Sequence, residues 1–213
     1  MRLERMFINT EVRSAGEAEN PRAVGLGIVY DQWTDIMPGY RERILQGAAK
    51  PAPGVIKSFF NHDPSQVLST TASTPPLVLR ETPRGIEYES PIPPTSYGKD
   101  LVTNLERKNV QGSSFSFSVP KGGDRYWEDE NGVLHREITE LVYYEIGPVT
   151  DPAYAMTTAS IRSAREELVS NWRASQKSQE EPELKEPEEP KEPEAGASDA
   201  QRFIRHGELK ATL

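Results

Sequence analysis

Hydrophobic and polar residues alternate most plainly from Ser113 to Val119, where Phe115, Phe117 and Val119 take every second place and Ser114, Ser116 and Ser118 lie between them. A period of two sends successive side chains to opposite faces of an extended strand, so one apolar face and one all-serine face are predicted. Val24–Tyr30 is a mostly apolar run of strand type. Val67–Ser69, Leu77–Arg80 and Gly85–Glu89 read as further short strands, punctuated by Thr-Pro-Pro and Thr-Pro-Arg-Gly turns. Tyr126-Trp127 and Val133–Ile138 flank Glu128–Gly132, whose Asn-Gly end signals a hairpin, and a last strand through Leu141–Val149 stops at Asp151-Pro152. Helical spacing is best at Ser96–Lys108, with Ser96 as its cap and Leu101, Val102 and Leu105 on one face. A short helix is predicted at Tyr40–Gln46, between Pro38-Gly39 and Gly47, and another at Ser160–Trp172. Many short strands with two or three helices predict a β-rich α+β domain or a small barrel.

The periodicity ends soon after Trp172, and there composition changes the picture. Glu180–Glu194 holds eight glutamates, four prolines and two lysines. It carries −6 of the formal −8 and leaves about −2 for the other residues of the chain. We therefore expect a folded domain over 1–168, an acidic, Pro/Glu-rich disordered linker over 169–198, and a short terminal segment over 199–213 that regains Phe203, Ile204 and Leu209. A near-neutral domain lacks the concentration of Lys and Arg that neutralises phosphates, so no nucleic-acid partner is expected. The absence of cysteine removes disulfides, thiolate nucleophiles and zinc–thiolate sites. No signal peptide and no run of about 18 apolar residues is read, so a soluble protein with no membrane partner is expected.

General-base work near neutral pH falls most often to histidine, and the chain has three: His62, His135 and His206. His206 lies in the tail, and His135 sits in a hairpin strand as a structural residue. His62, in Asn61-His-Asp-Pro64, follows the apolar Phe59-Phe60 at a polar turn, a place where rigid scaffolds present reactive groups. A serine hydroxyl beside such an imidazole can attack a carbonyl, but spacing alone leaves Ser113, Ser114, Ser116 and Ser118 equally eligible. Glu145 interrupts an apolar strand, so it either faces water at a sheet edge or has a partner. No metal-binding HExxH helix, GxSxG elbow or phosphate-binding P-loop occurs, and neither a cofactor nor a metal is expected.

In order, four segments resemble the prohead (capsid-maturation) serine proteases of tailed phages, distantly similar to the herpesvirus assembly protease. They are Gly25–Tyr30 with Tyr40–Ile44 and Gly47–Ala49, then Phe60-Asn-His-Asp63, Gly112-Ser-Ser-Phe-Ser-Phe117, and Glu145-Ile-Gly-Pro-Val-Thr-Asp-Pro-Ala-Tyr154. The likeness spans roughly 20–160. It places the nucleophile on Ser114, the base on His62 and the third member on Glu145. It departs from the family pattern at Gly147-Pro148, where Ser-Leu is frequent, and at Ser116, where glycine is common. The resemblance implies a barrel-like β core with packed helices. It also implies an endopeptidase that acts inside the procapsid in the host cytoplasm, cutting the major capsid protein precursor, its scaffolding segment and itself. Self-association enters as an expectation because the herpesvirus relatives are dimers. The competing expectation is a catalytically silent scaffold or capsid-assembly interaction protein.

Overall fold

A computed structural model of the chain describes residues 3–8, 12–17, 19–150 and 169–174. Within them run strands β1 (Glu4–Ile8), β2 (Arg13–Ala15), β3 (Arg22–Val29), β4 (Thr34–Met37), β5 (Tyr40–Ile44), β6 (Ala49–Pro51) and β7 (Lys57–Phe59). They continue with β8 (Val67–Thr70), β9 (Val78–Thr82), β10 (Gly85–Pro91), helix α1 (Ser96–Glu106), β11 (Gly112–Ser118), β12 (Asp124–Glu128), β13 (Leu134–Ile138) and β14 (Leu141–Val149). Residues 169–174 form a second helix, α2.

The strands make three sheets. The first, six-stranded, runs β1-β11-β14-β7-β8 with β6 also against β14; the second is β2-β3-β10-β9 and the third β12-β13-β5-β4. The architecture is thus strand-rich with few helices, as expected, but the sheets are open and no barrel closes among the described residues. One edge of β14 is divided between two short parallel partners, with β6 along Leu141–Tyr143 and β7 at Glu145. Next comes β8, and instead of returning to β1 it turns to the second sheet through a buried hydrogen bond of 2.8 Å between the hydroxyls of Ser69 and Ser90.

The main core lies between the first and second sheets, with α1 beside it. Phe115, Phe117 and Ile146 from one sheet meet Ile28, Ile86 and Tyr88 from the other, all at most 3% exposed. Gly27 sets the closeness of this contact, because a Cβ there would stand 2.2 Å from Cδ1 of Ile146. The third sheet joins the same core through Ile44 and Ile138 and adds a smaller cluster of Tyr40, Leu134 and Val169. Trp172 packs on that cluster and Arg173 pairs with Glu128 at 2.8 Å, so α2 lies against the third sheet. The remainder of the expected linker and the whole terminal segment lie outside the described residues.

Two local expectations are corrected. Tyr40–Ile44 is strand β5 and not a helix: it pairs with β4 and β13, and Tyr40, Glu42 and Ile44 point inward in strict alternation. Its inward place at Glu42 is charged, which hides the period of two in the sequence. The serine face of β11 is buried along with its apolar face, as all seven residues of the strand are. The helix expected at Ser96–Lys108 forms as Ser96–Glu106, and its cap is Thr95 in place of Ser96: the Thr95 hydroxyl accepts from the Gly98 amide at 3.2 Å.

Candidate active site

β11 and β14 run antiparallel, with Ser116 opposite Glu145 and Ser114 opposite Gly147. Residues directly opposed in such a pair share a face, so two serines look across at a carboxylate and a bare backbone. The bare backbone is needed. A Cβ on Gly147 would lie 2.3 Å from the carbonyl oxygen of Phe59, so glycine lets the end of β7 close down on β14 at the residue opposite Ser114. This accounts locally for one departure from the family pattern.

His62 arrives from the turn that follows β7. Asn61 and His62 both hold left-handed backbone, with φ of 53° and 58°. Asparagine tolerates that region; histidine adopts it at a cost of about 1–3 kcal/mol and only where its surroundings enforce it. Here the enforcement is visible. The Asn61 amide donates to the Pro148 carbonyl at 3.1 Å, while its side-chain oxygen accepts from the Thr150 amide at 2.9 Å and the Thr150 hydroxyl at 3.2 Å. The Phe60 amide donates across the turn to Gln66 at 3.1 Å. Asp63 accepts from the Ser65 hydroxyl and amide at 2.6 and 2.8 Å and from the Gln66 side chain at 3.0 Å, which holds its carboxyl below the ordinary range.

The result is a chain of short hydrogen bonds. His62 Nδ1 donates to Glu145 Oε1 at 2.8 Å, and its Nε2 faces Ser114 Oγ at 2.7 Å. The side chains of His62 and Glu145 are 10% and 9% exposed and Ser114 is 4% exposed, so water screens these contacts little. Ser114 Oγ also lies 2.9 Å from the carbonyl oxygen of Met6 in β1. A hydroxyl has one proton, so the two acceptors compete. With Nδ1 protonated toward Glu145, attack requires that proton on the Nε2 side, and rotation toward Met6 is the resting alternative.

The fold thus brings together all three residues singled out in the sequence, and it separates the serines. Ser114 meets the imidazole. Ser116 Oγ donates to Glu145 Oε2 at 2.8 Å, Ser118 pairs with the Tyr144 hydroxyl at 2.8 Å, and Ser113, on the opposite face, pairs with the Tyr88 hydroxyl at 3.1 Å. Glu145 is no edge residue facing water; it is 7% exposed. His135 lies between Trp33 and Trp127, with ring centroids 5.0 and 5.1 Å away, and Nε2 meets Asp129 at 3.1 Å. His206 lies outside the described residues. Among the described residues no group of His, Cys, Asp and Glu could hold a metal ion, and no helix is long and apolar enough to cross a membrane. The sequence reading missed the clamp of Asn61, whose only signal was an asparagine at a turn, and the Met6 carbonyl, which has no side-chain signature.

A serine hydroxyl, an imidazole and a buried carboxylate in hydrogen-bonded series are the equipment of a serine hydrolase. The family model described as caudovirus prohead serine protease matches residues 8–171, and the chain belongs to that family. It is a family of serine peptidases of tailed-phage capsid maturation, which implies capsid precursor proteins as partners and the procapsid as the place of action. No curated protein and no solved structure matches the chain.

Proposed function

We propose that the chain is an endopeptidase that cuts the major capsid protein precursor and its scaffolding segment during prohead maturation, and that it trims itself. Ser114 is the nucleophile, His62 the general base and acid, and Glu145 the residue that orients the imidazole. The observation that carries this reading is the series Ser114 Oγ to His62 Nε2 at 2.7 Å and His62 Nδ1 to Glu145 at 2.8 Å.

In the proposed reaction Ser114 Oγ attacks the scissile carbonyl carbon as its proton passes to His62 Nε2. The imidazolium, stabilised by the Glu145 carboxylate, then gives that proton to the leaving amine nitrogen. A water molecule, deprotonated by His62 in turn, attacks the acyl ester and frees the carboxylic acid and Ser114. Glu145 holds the tautomer throughout and carries no proton itself. Self-trimming in this proposal falls beyond residue 174, in the Pro/Glu-rich segment and the terminal stretch. The rival, a silent assembly scaffold, would have no use for a left-handed His62 held by four partners of Asn61 and Asp63.

The test is intact mass over time, wild type beside Ser114→Ala, alone and with the cognate capsid precursor under assembly conditions. Cleavage products from the wild type and whole chains with Ser114→Ala are expected. Equal trimming of both chains, or no cleavage of precursor by either, rejects the proposal and favours the scaffold.

A further inference from the structure

We infer that Ser116 is a positioning residue of this site: its hydroxyl holds Glu145 in the orientation that presents Oε1 to His62. The inference rests on the proposed Ser114–His62–Glu145 reading and deepens it. Both oxygens of the buried carboxylate are engaged, Oε1 by the imidazole Nδ1–H and Oε2 by the Ser116 hydroxyl, each at 2.8 Å. A carboxyl group has a two-fold torsion at its end, so without the second donor it is free to turn or to share the imidazole proton between its oxygens. With Ser116 opposite it on the neighbouring strand, one face of one oxygen is claimed by a donor anchored in the middle of a sheet.

The strand pairing is built around this contact. Between Ser116 and Phe117 the register shifts, so that Phe117 pairs with Tyr143 and the intervening Tyr144 is left without an opposite residue. Such a bulge re-aims side chains beside it. Here Ser114 and Ser116 stay on the face of Glu145 and His62, while Tyr144 turns outward to 38% exposure. Ser116 is 3% exposed and donates its single proton to the carboxylate. One strand therefore supplies both the nucleophile, at 114, and the anchor of the acid, at 116.

The test needs no knowledge of the substrate. A fluorophosphonate that phosphonylates activated serines is added to the full chain, and the labelled residue is mapped by mass spectrometry. The wild type is expected to label at Ser114. Ser116→Ala, which removes only the hydroxyl, should label the same residue with its maximal rate lowered about tenfold or more and its half-saturating concentration unchanged, since a hydrogen bond to a charged group has been lost. Ser116→Thr keeps the hydroxyl on a residue that strands accept and should restore most of the rate. In proton NMR the low-field resonance of His62 Nδ1–H should move in the Ala variant and return in the Thr variant. A purely packing role would change melting temperature without this pattern. An Ala variant that labels at the wild-type rate with the resonance in place overturns the inference alone. Labelling that maps to Ser116, or a wild type that labels nowhere on this strand, overturns the proposed site and the inference with it.

Discussion

Glu145 in β14 and Glu42 in β5 occupy matching places in two different sheets. Each sits in mid-strand, each is at most 7% exposed, and each has a polar partner directly opposite on the next strand. For Glu42 that partner is Arg136, which reaches it at 3.2 Å, bonds Asp124 at 2.8 Å and also pairs with Glu4 of β1. The Tyr40 hydroxyl donates to Glu42 at 2.9 Å. For Glu145 the partners are Ser116 and an imidazole. A guanidinium keeps its proton at every accessible pH, so the Glu42 cluster can only hold strands together, here β1, β5, β12 and β13. An imidazole gains and loses its proton near neutrality, so the same buried carboxylate beside it serves proton transfer. A buried carboxylate is therefore no mark of a site until its partner is known.

That contrast gives its largest effects in activity. Ser114→Ala should abolish cleavage, by about 10⁶ in kcat if the residues act as a unit. Glu145→Gln, which removes the charge and keeps the shape, should cost about 10⁴ in kcat while leaving the melting temperature close to that of wild type. Single-turnover cleavage of the capsid precursor and a thermal melt on the same samples decide the matter. A Glu145→Gln chain that cleaves normally would reduce Glu145 to the structural status of Glu42.

The reverse pattern is expected of Arg136→Met. Removing the cation strands three carboxylates around a site where Arg136 itself is 5% exposed, and breaking a buried pair from one side typically costs about 3–5 kcal/mol. For a domain of this size that lowers the melting temperature by roughly 6–20 °C. Activity should fall only in proportion to the molecules unfolded at the assay temperature. A variant that melts like wild type would mean that Arg136 contributes nothing net to the third sheet.

How much of this could be read from the chain differs between the same two regions. Around the site, the pattern marks Leu141–Val149 to the residue and Ser113–Val119 to within one, because phenylalanines and aliphatics mark the inward face. Even there the spacing leaves open whether the serine face meets water or a base. What covers it, the backbone of β1 and the turn after β7, comes from residues more than fifty positions away. Choosing Ser114 over Ser116 required knowing that glycine lies opposite the first and glutamate opposite the second, a fact of register that spacing within β11 does not contain. Only the family resemblance supplied it. In the third sheet the reading of β5 as a helix had one cause: Glu42 points inward, and the Arg136 that permits this is 94 residues away. The barrel expectation failed for a similar reason, since the division of β14 between β6 and β7 and the turn of β8 toward β10 are pairings with no local pattern.

The smallest expected effect separates the two glutamates by pH. Burial is the largest influence on Glu42 and raises its proton affinity above the ordinary carboxylate value of 4.5, with Arg136 pulling the other way. A group that binds its proton more tightly when folded lends stability that is complete below its unfolded value and is lost as pH rises through the folded one. Glu42→Gln cannot lose a proton and so lacks this decline. In a Ser114→Ala background, which prevents self-cleavage, the difference between the urea midpoints of the two chains should stay constant below pH 4.5 and change as pH rises to 7.5, with the Gln variant gaining on its parent. The gain should stay below the loss caused by Arg136→Met, because Glu4 and Asp124 remain to pair the cation. If the parent instead gains on the variant as pH rises, the attraction of Arg136 exceeds the cost of burial. Glu42 would then be a net stabilising partner of the third sheet, and the two carboxylates would differ only in what their partners do with a proton.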